Sequence, residues 1–296
     1  MRKPLFFLSF ILLSLAACQS GEQSETPSVY ATCYPIFDLA TKVAGGLIEV
    51  KNLVPPGGEP HEYEPTPREL GKMCQADALL YNGLGMESWL EPLFKNPSSQ
   101  EVRDLAKKSY CLSDGIETLK IEGVDDPHIW LNPKNAIAEM DKIRGIFSSI
   151  DPENASTYAL NYENEAKRLV ALDEDAKAVF SALTNKNLVV AHAAFGYMAD
   201  AYGLTQHYVS GLSPDEEPTA RDLEALIQTI QETEVKTIYT EELFTKKIAE
   251  TLAAATNCEI ALLYTIETLD EDQLTAGEDY ISLYRKNIAT IQEGGK

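Results

Sequence analysis

Only four histidines occur in this chain of 296 residues, and three of them share a setting. His61 lies in Gly57-Gly58-Glu59-Pro60-His61-Glu62-Tyr63-Glu64-Pro65-Thr66-Pro67. His128 lies in Asp125-Asp126-Pro127-His128-Ile129-Trp130-Leu131-Asn132-Pro133, and His192 in Ala191-His192-Ala193-Ala194-Phe195-Gly196-Tyr197. Each stands where a strand-like apolar run gives way to a helix start. One loop histidine alone reads as a solvated side chain; three in the same setting read as ligands of a divalent cation, for which neutral imidazole is a good donor. They are too far apart for a local finger-like motif, so only a fold that gathers three loops could bring them together. His207 sits within a strand-like run and reads as a structural or surface histidine.

The elements around these loops are well marked. Thr66 can cap a helix, with Pro67 at its first position and Glu69 completing a capping box. Asn132 followed by Pro133 repeats the cap-and-proline start after His128. Strand-like runs at Val29 to Tyr34, Ile48 to Val54, Ala78 to Asn82 and Ser109 to Leu112 alternate with helical stretches. The rhythm returns with Leu188 to Ala191, Gln206 to Ser210, Val235 to Tyr239 and Ile260 to Tyr264. This alternation predicts an α/β fold of two lobes, residues 29–150 and 184–296, each a four-stranded, mainly parallel sheet covered by helices. Ligand loops gather outside the strand ends of such sheets.

Between the lobes the pattern changes. From Asp151-Pro152 to Leu183 no glycine interrupts and no further proline occurs. Tyr158, Tyr162, Ala166, Leu169, Leu172, Ala176, Val179 and Leu183 form one apolar stripe. The spacing predicts a helix over 151–183, about 45 Å long at 1.5 Å per residue, which joins the lobes rigidly.

The N-terminus has a different role. Arg2 and Lys3 precede an apolar run from Leu5 to Ala17, too short for a bilayer span, which needs ~20 residues, but suited to a secretory signal over 1–17. Leu15-Ala16-Ala17-Cys18 resembles the lipobox of bacterial lipoproteins, which implies a lipid on Cys18. Residues 18–28 are then a polar tether. Lys and Arg number 25 against 46 Asp and Glu, a net charge of −21, which argues against nucleic acid and anionic membrane surfaces as partners. Cys33, Cys74, Cys111 and Cys258 form no close CxxC pair, so a thiolate zinc site is not expected. Whether they pair as disulfides is left open by their spacing.

PHEYEPTP, DPHIWLNP, AHAAFGYMA, GLSPDEEPTARDL and the long central helix together resemble the zinc and manganese solute-binding proteins of bacterial ABC importers, over about residues 29 to 292. The resemblance implies a metal held between two lobes by one residue from each of four loops: His61, His128, His192 and, in Tyr264-Thr265-Ile266-Glu267, Glu267, with water the alternative fourth ligand. Manganese-type members carry glutamate at the third position and aspartate at the fourth. His192 therefore implies Zn2+, with Mn2+ or iron the alternative. The chain departs from many zinc members in lacking a histidine-rich loop before the second ligand, since Lys120 to Val124 contains no histidine.

The expected function is extracytoplasmic capture of a divalent cation and delivery to an ABC permease, by a monomer lipid-anchored at the bacterial membrane. A zinc hydrolase is the competing class, because three histidines and an open position also describe catalytic zinc. Against it, no HExxH helix is present and no general base stands beside a ligand. A metal-stabilised adhesin is a third reading.

Overall fold

The computed structural model describes residues 26–214, 218–241 and 246–295. The apolar leader, Cys18 and most of the tether lie outside the described residues, as do 215–217 of the GLSPDEEPTARDL segment.

The first lobe runs β1 (Ser28–Ala31), α1 (Tyr34–Ala44), β2 (Glu49–Asn52), α2 (Pro67–Gln75), β3 (Ala78–Tyr81), α3 (Leu90–Lys95), α4 (Gln100–Lys107) and β4 (Ser109–Cys111). A short antiparallel hairpin, β5 (Lys120–Ile121) and β6 (Val124–Asp125), precedes the His128 loop and α5 (Pro133–Ile150). After α6 (Ala155–Ser181) come β7 (Asn187–His192), α7 (Gly196–Tyr202), β8 (Thr205–Ser210), α8 (Ala220–Thr233), β9 (Thr237–Thr240), α9 (Lys246–Thr256) and β10 (Glu259–Leu262). The chain closes on α10 (Glu271–Thr275) and α11 (Tyr280–Gly294).

Both sheets are parallel throughout, ordered β2-β1-β3-β4 and β10-β9-β7-β8. Counted within each lobe, both read second-first-third-fourth. The duplication visible as rhythm in the sequence is therefore a duplication of topology. The caps behave as their residue types dictate: Thr66 accepts from the Glu69 amide while the Glu69 carboxylate accepts from Thr66, and Thr219 with Asp222 does the same for α8.

The central helix differs in detail from expectation. Pro152–Asn154 forms a 3-10 turn before the α-helix, which then runs for 27 residues, about 40 Å. Within the buried stripe Phe180 takes the place expected for Val179, Tyr162 and Ala166 are only half-buried, and one carboxylate, Glu165, is buried. Nor does the helix stand free as a spacer: α5, α1 and α11 pack along it. Glu165 is tolerated because Arg168 and Lys42 meet it, the latter also bridging Asp38 and the α11 cap Asp279. One apolar core, from Val29 through Trp130, Leu169 and Phe195 to Ile291, runs continuously through both lobes.

Candidate metal centre

His61, His128, His192 and Glu267 converge from four loops, their donor atoms all within 4.8 Å of one another. His192 is the last residue of β7. His128 heads the turn that leads into α5, and its loop is anchored from just beyond β3, where the Asn82 side-chain Nδ2 donates to the Pro127 carbonyl across 2.9 Å. Glu267 follows β10, on a segment where Ile266 holds φ +63°, a left-handed conformation unfavourable for a β-branched residue. His61 projects from the long β2–α2 loop. His207 lies apart on β8, its Nε2 2.9 Å from the Asn187 Oδ1. Cys33, Cys74, Cys111 and Cys258 are free thiols.

Two carboxylates that sequence reasoning did not single out complete the arrangement. The Asp126 Oδ1 accepts from the His128 Nδ1 at 2.7 Å and from its main-chain amide at 3.0 Å. Glu241, just beyond β9, does the same for His192, its Oε1 3.1 Å from the amide and its Oε2 in close contact with Nδ1. Both have a weak sequence signal: Asp126 stands two residues before a ligand, and Glu241 directly follows a strand. Gly196 shows why a glycine follows the third histidine, because a Cβ there would stand 2.7 Å from the Asp126 Oδ2. The neighbouring Tyr197 hydroxyl donates to the Asp126 carbonyl and accepts from the Leu119 amide.

These bonds fix the chemistry of the cluster. A carboxylate can only accept, so His128 and His192 each hold a proton on Nδ1, and once the second ring proton is lost, as metal binding requires, each Nε2 presents a bare lone pair. Yet the His128 Nε2 lies 3.2 Å from the His61 Nε2, 3.4 Å from the His192 Nε2 and 3.2 Å from the Glu267 Oε1. The His192 Nε2 lies 3.5 Å from that same oxygen, which is buried and has no hydrogen-bond partner among the described residues. Lone pairs facing lone pairs repel; a cation at their centre turns that repulsion into coordination. Donors of a tetrahedral ion at ~2.0–2.1 Å stand about 3.3–3.4 Å apart, which these four edges match, while the His61 Nε2 stands farther from the carboxylate, 4.0 Å from the Glu267 Oε2. The residues present fit a zinc-like ion.

Protonation follows the same logic. Burial opposes charge on His128, but Asp126 and Glu267 outweigh it and hold the imidazole up at about 8. Burial also opposes charge on His192, where Glu241 and Glu267 raise it well above the ordinary value. Burial and its two imidazole neighbours take His61 down to about 3 against the pull of Glu267. Burial would raise Glu267, but its contacts with His128 and His192 hold it well below the usual carboxylate range. Clefts of about 640, 510 and 500 Å3 elsewhere on the protein are lined by other residues. The convergent site is sized for an ion.

The ZnuA family, described as the periplasmic component A of a zinc-uptake complex, matches residues 29–294. The chain belongs to the ZnuA family. It is 32% identical over 311 aligned positions to the metal ABC transporter substrate-binding lipoprotein SsaB of Streptococcus sanguinis, covering 99% of both chains. It is 32% identical over 300 positions to the zinc-binding lipoprotein AdcA of Streptococcus pneumoniae, covering 98% of this chain but 60% of AdcA. The Zn(II)-bound ZnuA-like domain of that AdcA superposes with a TM-score of 0.79 at 32% identity, over 91% of this chain and 99% of the domain. ZnuA-family proteins are solute-binding receptors and not enzymes, which removes the hydrolase reading.

Proposed function

We propose that this chain captures Zn2+ outside the cytoplasmic membrane and hands it to the permease of a metal ABC importer. His61, His128 and His192 supply Nε2 donors and Glu267 a carboxylate oxygen, with Asp126 and Glu241 holding two of the imidazoles in the right tautomer. The observation that carries this reading is the convergence of three imidazoles and a buried carboxylate from four loops, their donor atoms within 4.8 Å of one another. Three imidazoles to one carboxylate favour zinc over manganese, which prefers oxygen-rich sets. In this reading residues 29–150 and 184–296 are the two lobes, joined by 151–183. The chain works as a monomer tethered through a lipid on Cys18, in keeping with the lipoprotein names of SsaB and AdcA. Elemental analysis of the chain purified without added metal tests the cargo: one zinc per chain is expected, and manganese or iron in its place would overturn the zinc assignment.

A further inference from the structure

The buried face of α11 is aliphatic or aromatic except at Asn287, which is 0% exposed. A leucine would suit this place in a helix better, because a buried amide must find partners and asparagine is a poor helix former. Asn287 directs both halves of its amide at one residue. Its Oδ1 accepts from the Tyr264 main-chain amide at 2.8 Å, and its Nδ2 donates to the Tyr264 carbonyl at 2.7 Å.

That exchange is what a neighbouring strand would give. β10 ends at Leu262 and its partner β9 at Thr240, whose carbonyl takes the Leu263 amide at 2.9 Å. Among the described residues no strand continues the pairing, and Asn287 takes it up at Tyr264. Two further ties follow. The Trp130 indole donates to the Thr265 carbonyl, and the Tyr34 amide donates to the Glu267 carbonyl at 3.2 Å. Between them Ile266 is fully buried and holds φ +63°. A β-branched residue keeps such a conformation only where its surroundings over-determine it. Here residues 264, 265 and 267 are all tied, so the turn is set from both sides.

The turn aims the carboxylate. The Glu267 Oε1 stands 3.2 Å from the His128 Nε2 and 3.5 Å from the His192 Nε2, while Oε2 stands 4.0 Å from the His61 Nε2. One oxygen is at coordination spacing to two imidazoles, and the other lies farther from the third.

We propose that Asn287 is a positioning residue for the metal site: through Tyr264 and the left-handed turn at Ile266 it holds Glu267 so that a single oxygen reaches the ion. This rests on the reading that His61, His128, His192 and Glu267 bind zinc. A one-oxygen carboxylate completes the four-coordination that suits zinc, whereas manganese takes larger, oxygen-rich shells. A carboxylate released from this hold can turn both oxygens onto the ion, which raises the coordination number and erodes the preference for zinc.

Visible absorption of Co2+ bound to the full chain tests this, because four-coordinate Co2+ absorbs far more strongly than five- or six-coordinate Co2+. Wild type should give the strong bands. Asn287→Leu keeps the bulk of the side chain and removes both bonds to Tyr264, so its bands should weaken several-fold. Its zinc affinity relative to manganese, from competition titration, should also fall several-fold. A folded Asn287→Leu with the wild-type spectrum and the wild-type zinc-to-manganese ratio would overturn the proposal and leave Asn287 a stabilising residue alone. Ile266→Gly is the second variant and decides the matter if Asn287→Leu does not fold. It keeps Asn287 but lets the backbone leave φ +63° as easily as hold it. Its bands should weaken in the same way, and an unchanged spectrum would overturn the proposal. So would a wild-type spectrum of higher coordination. Failure of wild type to bind either Co2+ or zinc would instead remove the underlying zinc reading, so the two failures are separable.

Discussion

The Trp130 indole Nε1 donates to the Thr265 carbonyl across 2.8 Å, joining segments 135 residues apart in sequence. Through this bond the loop of one candidate ligand, His128, is braced against the segment of another, Glu267. The Trp130 ring also stands edge-on to the His128 ring, centroids 5.5 Å apart, and its carbonyl accepts from the Tyr280 hydroxyl of α11. The C-terminal helix thus reaches back to the second histidine loop. Trp130→Phe keeps the aromatic packing but leaves a buried carbonyl unpaired, at a cost of ~1–3 kcal/mol. Calorimetric unfolding should show a lower Tm, and a chelator-competition titration a weaker zinc affinity. An unchanged affinity would mean that the brace serves stability alone.

Asp126 and Glu241 should matter through the imidazoles that they hold. Asp126→Asn and Glu241→Gln each remove the acceptor that fixes an Nδ1 proton, and losses of this kind typically cost 10–100-fold in metal affinity. Gly196→Ala should weaken zinc in the same direction without touching a ligand, since its Cβ would press on the Asp126 carboxylate. Competition titration of the three variants, alongside circular dichroism to show that they fold, checks both points.

Much of this was legible in the sequence because its local signals agree with the global fold. The Thr66 and Asn132 caps, the strand rhythm and the three junction histidines each rest on a few neighbouring residues. Other features were not legible because they depend on tertiary approach. Glu241 is 49 residues from the histidine that it orients, and only the pairing of β7 with β9 brings them together. The helix Gln100–Lys107 was missed because it is short, polar and largely exposed, with only Val102 and Leu105 buried. The central helix was found, but not its role as a packed spine: Glu165 in its apolar stripe makes sense only once Lys42 and Arg168 are seen beside it.

Zinc uptake should release protons. Against burial, Asp126 and Glu267 hold the His128 imidazole up at about 8, and Glu241 and Glu267 raise His192, so the metal must displace protons from this cluster. Apparent affinity should therefore climb as pH rises from 6 to 8. Calorimetry in two buffers of different ionisation enthalpy should show net proton release at pH 7. Equal heats in the two buffers would contradict the protonation pattern.

Glu139 offers a stability test away from the metal. It is fully buried on α5, neither carboxylate oxygen has a hydrogen-bond partner among the described residues, and burial, offset in part by Lys142, raises it to about 8. A carboxyl raised on folding binds its proton more tightly in the native state. Its contribution is therefore present at acid pH and is lost as pH rises through 8. Glu139→Gln should leave zinc affinity unchanged and should raise Tm at pH 8 relative to wild type more than at pH 5. A difference in Tm independent of pH would show that the carboxyl is not held neutral.

The central claim is that four named side chains hold one zinc ion. A chelator-competition titration with zinc, run on wild type and on His61→Ala, His128→Ala, His192→Ala, Glu267→Ala and His207→Ala, addresses it most directly. The account predicts one zinc per wild-type chain, a weaker site in each of the first four variants and an unaltered one in His207→Ala. Wild-type affinity in any of the first four, or a loss in His207→Ala equal to theirs, would contradict it.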